Sequence, residues 1–241
     1  MKSIDILAFA AHPDDVELAA AGTLLRHKKM GHTIGIIDLT RGELGSRGSG
    51  ELRLKEAAAS AKILDIDVRE NLDLGDGFFK NNEENKRKVI AAIRKYQPKI
   101  VLANSISDRH PDHGRAAKLV SESCFLSGLV KIETKDENGS QPAHRPNKVF
   151  HYIQDEYLEP TFTIDISEFY ETKMKSIQAF SSQFHHPNQD TSQPETPISS
   201  LDFIHFLEAR ARQFGRIGNC TYAEGFIDEK GFAVNNLFDL Q

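Results

Sequence analysis

Residues 4–15 read IDILAFAAHPDD, and this stretch decides the fold. The apolar run from residue 4 to residue 10 is bounded by polar residues, which is typical of a buried parallel strand. The residues from 16 to 30 then place apolar side chains at helical spacing and stop at Gly31, a residue that commonly follows a helix. A buried strand that leads directly into a helix predicts a βαβ unit.

The same cycle of strand and helix repeats along the chain. We expect further strands at 33–39, 68–74, 100–103, 148–153, 161–166 and 223–226. We expect further helices at 51–64, 83–96, 113–128, from a cap at Ser167 to about residue 181, and at 201–214. The polar stretches 131–147 and 184–199 predict long surface loops. The order predicts a doubly wound, mostly parallel, Rossmann-like α/β sheet with helices on both faces and a small C-terminal strand and helix extension.

Length, charge and cysteine content limit the classes of protein. The 241 residues, 39% of them hydrophobic, suit one domain spanning 1–241. A net charge of -5 without a basic tract predicts no nucleic-acid partner. No signal peptide and no apolar run of membrane-spanning length is evident, so we expect a cytoplasmic protein without a membrane partner. Cys124 and Cys220 lack ligand or redox spacing and are interpreted as structural thiols.

Two turns carry a His-Pro-Asp sequence at predicted strand ends. The first strand leads into AHPDD at 11–15, and the strand at 100–103 leads into HPDH at 110–113. Ligands of an open parallel sheet gather outside the carboxyl ends of its strands. Neither turn has the G-x-G-x-x-G pattern of a dinucleotide site, and the glycines at 42, 45, 48 and 50 are interpreted as a mobile loop near the site. We therefore expect both turns to serve one site.

Three side chains of these turns form a candidate metal site. Pro13 biases His12 to an extended backbone, Asp15 falls at a helix N-terminus that favours an ionised carboxylate, and His113 opens the later helix. Two imidazoles and one carboxylate with an open fourth position are a catalytic zinc set, which predicts one Zn²⁺ per chain. The same ligands also describe non-haem iron oxygenases, and iron or cobalt would fit. Either motif alone is also a common helix start.

The neighbouring acids favour hydrolysis over oxidation. Asp14 lies beside a predicted ligand and is free to accept a proton from a metal-activated water. The His110–Asp112 pair would place an oriented imidazolium where it stabilises an oxyanion and then protonates a leaving amine. Asp112 is alternatively only a helix cap. The candidate catalytic residues are therefore Asp14, His110 and Asp112.

These residues resemble the PIG-L/LmbE family of zinc-dependent N-acetylglucosamine deacetylases, whose signatures are A-H-P-D-D after the first strand and H-P-D-H after a later one. Further segments are similar to the branch that acts in bacillithiol biosynthesis: DLTRGEL at 38–44, ELR at 51–53, PAHR at 142–145, EP at 159–160, DIS at 165–167 and EGF at 224–226. The resemblance implies hydrolysis of N-acetyl-α-D-glucosaminyl L-malate to the free amine and acetate. It implies the same zinc ligands, the same base and the same oxyanion pair as the chemistry above.

The resemblance also concerns substrate contacts and assembly. The family places an arginine from the loop after the second strand against the substrate, which corresponds to Arg53. A malate carboxylate would suit a guanidinium, so Arg47 and Arg109 are further candidates, with solvated surface charges as the alternative. Relatives often form trimers or hexamers, and we expect a homo-oligomer. The tandem His185 and His186 follow no motif that assigns them a role.

Other functions stay open at this level. A related branch of the family hydrolyses amides of bacillithiol S-conjugates, and another N-acetylglucosamine derivative is a further possible substrate. A sugar-binding module that has kept the fold but not the chemistry is a remote alternative. The intact Asp14 disfavours it, because binding alone needs no free base beside a metal ligand.

Overall fold

A computed structural model describes residues 3–137, 139–186, 192–231, 233–234 and 236. The strands are β1 Ile6–Ala10, β2 Ile34–Asp38, β3 Val68–Asn71, β4 Ile100–Ala103, β5 Lys135–Asp136, β6 Gly139–Ser140, β7 Lys148–Tyr152, β8 Phe162–Asp165 and β9 Ala223–Asp228. The helices are α1 Asp15–Ala19, α2 Ala21–Lys29, α3 Gly50–Ile63, α4 Glu83–Tyr96, α5 Pro111–Ser127, α6 Tyr170–Gln178 and α7 Leu201–Ile217, with a 3₁₀ turn at Pro197–Ser199.

Seven of the strands form one sheet in the order β3-β2-β1-β4-β7-β9-β8. β1 pairs in parallel with β2 and with β4, whereas β9 is antiparallel to both β7 and β8. The prediction of a mostly parallel, doubly wound sheet is confirmed. The chain runs outward from β1 to β3 and then returns to β4 on the other side of β1. The strand order therefore reverses between β1 and β4, where open α/β sheets bind ligands.

Alternation along the buried central strand separates two layers of core. Leu7 and Phe9 of β1 pack in a cluster with side chains of α4 and α5, such as Ile93. Ile6 and Ala8 face the opposite side and pack in a cluster with side chains of α1 and α2. Successive side chains of a strand point to opposite faces, so one apolar strand serves both layers. Helices consequently cover both faces of the sheet.

The prediction of one helix over residues 16–30 is wrong. Ala20 has φ -139° and ψ 0°, which ends α1 and starts α2. The Glu224 carboxylate accepts hydrogen bonds from the backbone N–H groups of Gly22 (3.0 Å) and Thr23 (2.7 Å), and it pairs with Lys173 Nζ at 2.6 Å. A buried acid from β9 thus satisfies two of the free N–H groups at the start of α2, and no local sequence pattern predicts this contact.

Two other local predictions need correction. Ser167 does not cap α6, which begins at Tyr170; the Ser167 hydroxyl instead donates to Asp165 and accepts from the N–H groups of Thr221 and Tyr222. The expected loop at 131–147 contains the short β5–β6 hairpin. The loop expected at 184–199 includes residues 187–191, which lie outside the described residues.

No helix among the residues that the structure describes is long and apolar enough to cross a bilayer. Cys124 and Cys220 are free thiols, and Cys124 is buried in the core between α5 and the sheet.

Candidate active site

The carboxyl ends of β1 and β4 open into a cavity of about 500 Å³ that both His-Pro-Asp turns line. The ring centroids of His12 and His110 are 4.6 Å apart, and those of His12 and His113 are 5.5 Å apart. The two turns are separated by almost a hundred residues in sequence but adjacent in space, because β1 and β4 are neighbours in the sheet. Three imidazoles therefore face one another at the switch point.

Asp15 lies between two of these histidines. Its Oδ1 is 3.1 Å from Nε2 of His113, and its Oδ2 is 3.7 Å from Nδ1 of His12. Two ligands of a tetrahedral zinc ion lie roughly 3.3 Å apart when each is about 2.0 Å from the metal. Side-chain amides of Asn104 and Gln154 donate to the carboxylate at 2.9 and 3.0 Å. The carboxylate is thus held within reach of both imidazoles.

Asp108 orients His113, a role that the sequence reasoning did not assign. Oδ2 of Asp108 lies 2.5 Å from Nδ1 of His113, which leaves Nε2 facing the cavity. The other carboxylate oxygen accepts the N–H groups of Asp155 (3.2 Å) and Glu156 (2.8 Å). A carboxylate behind a histidine is the usual outer partner of a metal-binding imidazole. Its position just after β4, five residues before His113, is the signal that the sequence offered.

Asp76 is the second residue that the sequence reasoning missed. It belongs to the loop after β3, and its Oδ1 lies 3.0 Å from Nε2 of His12. Burial raises the pKa of Asp76, but the nearby His12 lowers it by more, to about 2. Nothing local in GDG at 75–77 points to this contact, because the loop reaches the site only through the fold.

The donor atoms suit a divalent cation. Two groups place their ligand atoms within 4.8 Å of one another: His12, His110 and His113, and His12, Asp76 and Asp112; the predicted set of His12, Asp15 and His113 is neither of these. Nε2 of His12 is buried between Oδ1 of Asp76 at 3.0 Å and Oδ2 of Asp112 at 3.4 Å, without the geometry of a hydrogen bond to either. Burial lowers the pKa of His12, but the surrounding carboxylates raise it by more, to about 10. The site therefore favours positive charge, which a metal ion would supply.

Asp14 has an unusual backbone and an unusual carboxyl group. Its φ of 125° is in a region that non-glycine residues rarely adopt, and such strain is concentrated at functional sites. The side chain is buried, with Nη1 of Arg53 3.2 Å from Oδ2. Burial raises the pKa of Asp14, the Arg53 charge opposes this rise, and the result is about 7. A carboxyl with this pKa exchanges a proton near neutral pH.

Arg53 is held in place by acceptors from two other parts of the chain. Its guanidinium donates to the Pro13 carbonyl at 2.8 Å and to Oε1 of Gln183 at 2.7 Å. Gln183 is itself fixed, because its amide donates to the Arg47 carbonyl and to the Ser182 hydroxyl. Nε of Arg53 is buried without a partner among the described residues. The arginine is thus positioned before any substrate arrives.

His110 and Asp112 are in contact through the Asp112 backbone N–H, whereas the sequence predicted a pair that would orient an imidazolium. The Asp112 backbone N–H donates to Nδ1 of His110 at 3.2 Å, which makes His110 the N-cap of α5 and leaves its Nε2 to carry the proton. Burial lowers the pKa of His110, and the positive charges of His12 and His113 lower it further. The ring is therefore a neutral hydrogen-bond donor toward the cavity. The Asp112 carboxylate contacts Gly77 N, Arg115 and His12 instead.

Comparison with known proteins agrees with this site. Residues 7–124, which include both turns, match the family PIG-L, described as GlcNAc-PI de-N-acetylase. A conserved protein of Thermus thermophilus has a solved structure that is 35% identical, with a TM-score of 0.83, and the match covers 96% of this chain and 98% of that one. The chain belongs to the PIG-L family.

Two curated relatives are similar to this PIG-L protein. The diacetylchitobiose deacetylase of Thermococcus kodakarensis is 28% identical over 91% of this chain and 81% of its own length. A probable N-acetyl-alpha-D-glucosaminyl L-malate deacetylase 2 of Bacillus anthracis is 24% identical over 74% of this chain and 81% of its own length.

Two of the three arginines predicted to bind the substrate line the cavity of this PIG-L site, and the third does not. Arg53 and Arg109 line the cavity, and Arg109 donates to Asp155 at 2.5 Å. Arg47 is buried and donates to the carbonyls of Ser182 and Pro194, so it is neither a cavity residue nor the solvated charge considered as its alternative. Arg210 of α7 also lines the cavity, and the sequence reasoning did not single it out.

Proposed function

We propose that this PIG-L protein is a zinc-dependent N-deacetylase that hydrolyses N-acetyl-α-D-glucosaminyl L-malate to the free amine and acetate. The observation that carries the proposal is Asp14, a buried carboxyl with a strained backbone that lies beside the candidate metal ligands and 3.2 Å from Arg53. A non-catalytic binding module has no use for such a group. The family and both curated relatives, which are named for deacetylation, support the reaction class.

His12, Asp15 and His113 would hold the ion, with Asp108 behind His113 and the amides of Asn104 and Gln154 on the carboxylate of Asp15. A bound zinc ion supplies Lewis acidity, which lowers the pKa of water toward neutrality and polarises a carbonyl. The role of the outer partners is to keep the two imidazoles and the carboxylate in one geometry.

Asp14 moves the proton. It accepts a proton from the attacking water as the new bond to the acetyl carbon forms, and it then delivers that proton to the sugar nitrogen as the C–N bond breaks. One amide and one water thus become one amine and one acetic acid, which ionises to acetate. Burial raises the pKa of Asp14, which makes its carboxylate a stronger base than an exposed one.

His110 stabilises the developing negative charge on the acetyl oxygen. Its Nδ1 is occupied by the Asp112 N–H, so its Nε2–H is the donor available to the cavity. Because the His110 ring is neutral, we assign the return of the proton to Asp14 and not to His110, the residue expected from the sequence. Asp112 would then act as a structural anchor that joins α5 to the loop at Gly77.

The aglycone is the finer part of the proposal. A dicarboxylate such as malate suits the guanidinium groups of Arg53 and Arg109, which both line the cavity. Diacetylchitobiose, which is neutral, is the second candidate substrate, because the relative from T. kodakarensis aligns with 91% of this chain.

The test uses protein purified without added metal. Metal analysis should find about one zinc per chain, and acetate release should be faster from N-acetyl-α-D-glucosaminyl L-malate than from diacetylchitobiose. Removal of the metal by a chelator should abolish release, and added zinc should restore it. Acetate release from neither substrate by the metal-loaded protein would contradict the proposed function.

A further inference from the structure

Arg210 stands at the α7 end of the cavity. It lines the cavity together with Arg109, Gln154 and Phe203. Its guanidinium donates to the backbone carbonyls of Gln154 and Leu18, the latter at 2.7 Å. A guanidinium carries five N–H donors in a rigid fork, so three remain beyond these two contacts.

Arg210 has no carboxylate partner in the part of the chain that the structure describes. The nearby acids are each engaged elsewhere: Asp155 with Arg109, Asp108 with His113, and Glu224 with Lys173 at 2.6 Å. Burial lowers the pKa of Arg210, and the charges of Asp155, Glu224 and Asp108 offset this only in part. Arg210 is partly buried, and a cation removed from water without an ionic partner gains from binding an anion.

The surroundings of Arg210 would strengthen an ion pair. Its Cζ lies 5.4 Å from the ring centroid of Phe206, and Phe203 and Ile198 line the same cavity. Apolar walls exclude water and reduce screening, so a carboxylate bound there gains more from the charge than it would on the surface. Planar, bidentate binding of a carboxylate is the contact that arginine makes best.

We propose that Arg210 is a specificity-determining residue whose guanidinium binds a carboxylate of the aglycone, so that the enzyme selects anionic N-acetylglucosaminides over neutral ones. The inference rests on the proposed deacetylase function and assigns the residue that recognises an anionic aglycone. Arg53 sits beside the reacting base, whereas Arg210 lies at the α7 side and contacts the part of the substrate that does not react.

The first test uses the unaltered enzyme and two substrates, one with the free malate carboxylates and one with both carboxylates methylated. Acetate release is measured from N-acetylglucosaminyl L-malate and from its dimethyl ester. We expect the acid to have a kcat/KM at least about tenfold higher, mainly through a lower KM, as the loss of a charge-assisted hydrogen bond predicts. Equal values for acid and ester would overturn the inference, while the proposed function would stand. Acetate release from neither compound would instead defeat the proposed function.

The second test compares two variants of the same helix. In Arg210→Gln the acid-to-ester ratio of kcat/KM should fall about tenfold or more, and Arg210→Lys should give an intermediate ratio because it keeps the charge and loses the fork. Arg212→Gln is the matched control, since Arg212 is exposed and pairs with Glu208 outside the cavity. Because the ratio is taken within one preparation, it does not depend on how much protein is folded. An unchanged ratio in Arg210→Gln would show that Arg210 only supports the backbone of Leu18 and Gln154.

Discussion

The two His-Pro-Asp turns place the same tripeptide after two adjacent parallel strands, yet their aspartates differ. Asp14 of the first turn is buried with φ 125°. Burial raises its pKa, and the Arg53 charge is the largest influence that lowers it. Asp112 of the second turn is also buried, but His12 at 3.4 Å, the Gly77 N–H at 2.9 Å and Arg115 all stabilise its ionised form. The pKa of Asp14 therefore rises to about 7, whereas that of Asp112 falls below its ordinary value.

The difference teaches that residue type and spacing do not assign a chemical role. Hydrogen bonds to an ionised carboxylate lower its pKa, whereas desolvation without such bonds raises it. Asp14 is thereby suited to proton transfer and Asp112 to structure. The following predictions test this contrast.

The largest effect should come from exchanging each carboxylate for an amide. Asp14→Asn should lose on the order of a hundredfold or more in kcat because the base is gone, while it retains the metal. Asp112→Asn should lose less than about tenfold, because Asp112 does not transfer the proton. Rates of acetate release and metal content per chain measure both. Equal losses in the two variants would remove the distinction between the turns.

A smaller effect, on zinc affinity, is expected when the carboxylate that supports His113 in the second turn is removed. Asp108→Asn removes the negative charge behind the imidazole and should weaken zinc binding by about 10–100-fold. Competition with a metal-binding dye measures the affinity. Glu156→Gln is the control, since its exposed side chain does not contact His113. An affinity unchanged by Asp108→Asn would mean that this carboxylate does not support the ligand.

Removal of the Arg53 charge should change the pH dependence of kcat through Asp14 of the first turn. The Arg53 charge lowers the pKa of Asp14, so Arg53→Gln should raise it. The active base is ionised, so activity is present above this pKa and is lost as the pH falls through it. The acid limb of kcat should therefore move to higher pH. The loss of kcat should be up to roughly tenfold larger at acid pH than at alkaline pH, because a change of one pKa unit changes the ionised fraction tenfold. A uniform loss at all pH values would contradict the coupling.

The smallest effect is expected at the partner of Asp112. Arg115→Gln removes a charged hydrogen bond worth roughly 1 kcal/mol, which lowers Tm by about 2–4 °C in a protein of this size. The rate of acetate release should stay within about twofold of the unaltered enzyme, because Arg115 does not transfer the proton. Thermal unfolding followed by circular dichroism measures Tm, with the exposed Lys118→Gln as the control. A large loss of rate without a loss of Tm would assign Arg115 to the catalytic chemistry.

Local patterns predicted those parts of the fold that local forces specify. The helix at Glu83–Tyr96 and the strand at Ile100–Ala103 agree with the predicted bounds to the residue. The Asn82 side chain caps α4, and Gln97 ends it in a left-handed conformation before Pro98. The break at Ala20 was not predictable in this way, because Glu224 is two hundred residues away in sequence.

The candidate site divides in the same manner. His12, Asp15 and His113 were identifiable because strand ends, proline and helix starts are all encoded within a few residues. Asp76 and Arg210 were not, because a loop after β3 and a helix near the C-terminus reach the cavity only through tertiary packing.

The sequence by itself therefore determined the order of strands and helices, the two turns at the switch point and the residue types available there. Only the tertiary structure decided which aspartate is the base, because a carboxyl pKa depends on burial and on charges within a few ångströms. For Asp14 the main charge is that of Arg53, and for Asp112 the main groups are His12, Gly77 and Arg115. Arg53 and Gly77 come from distant segments of the chain, and folding brings them to the site.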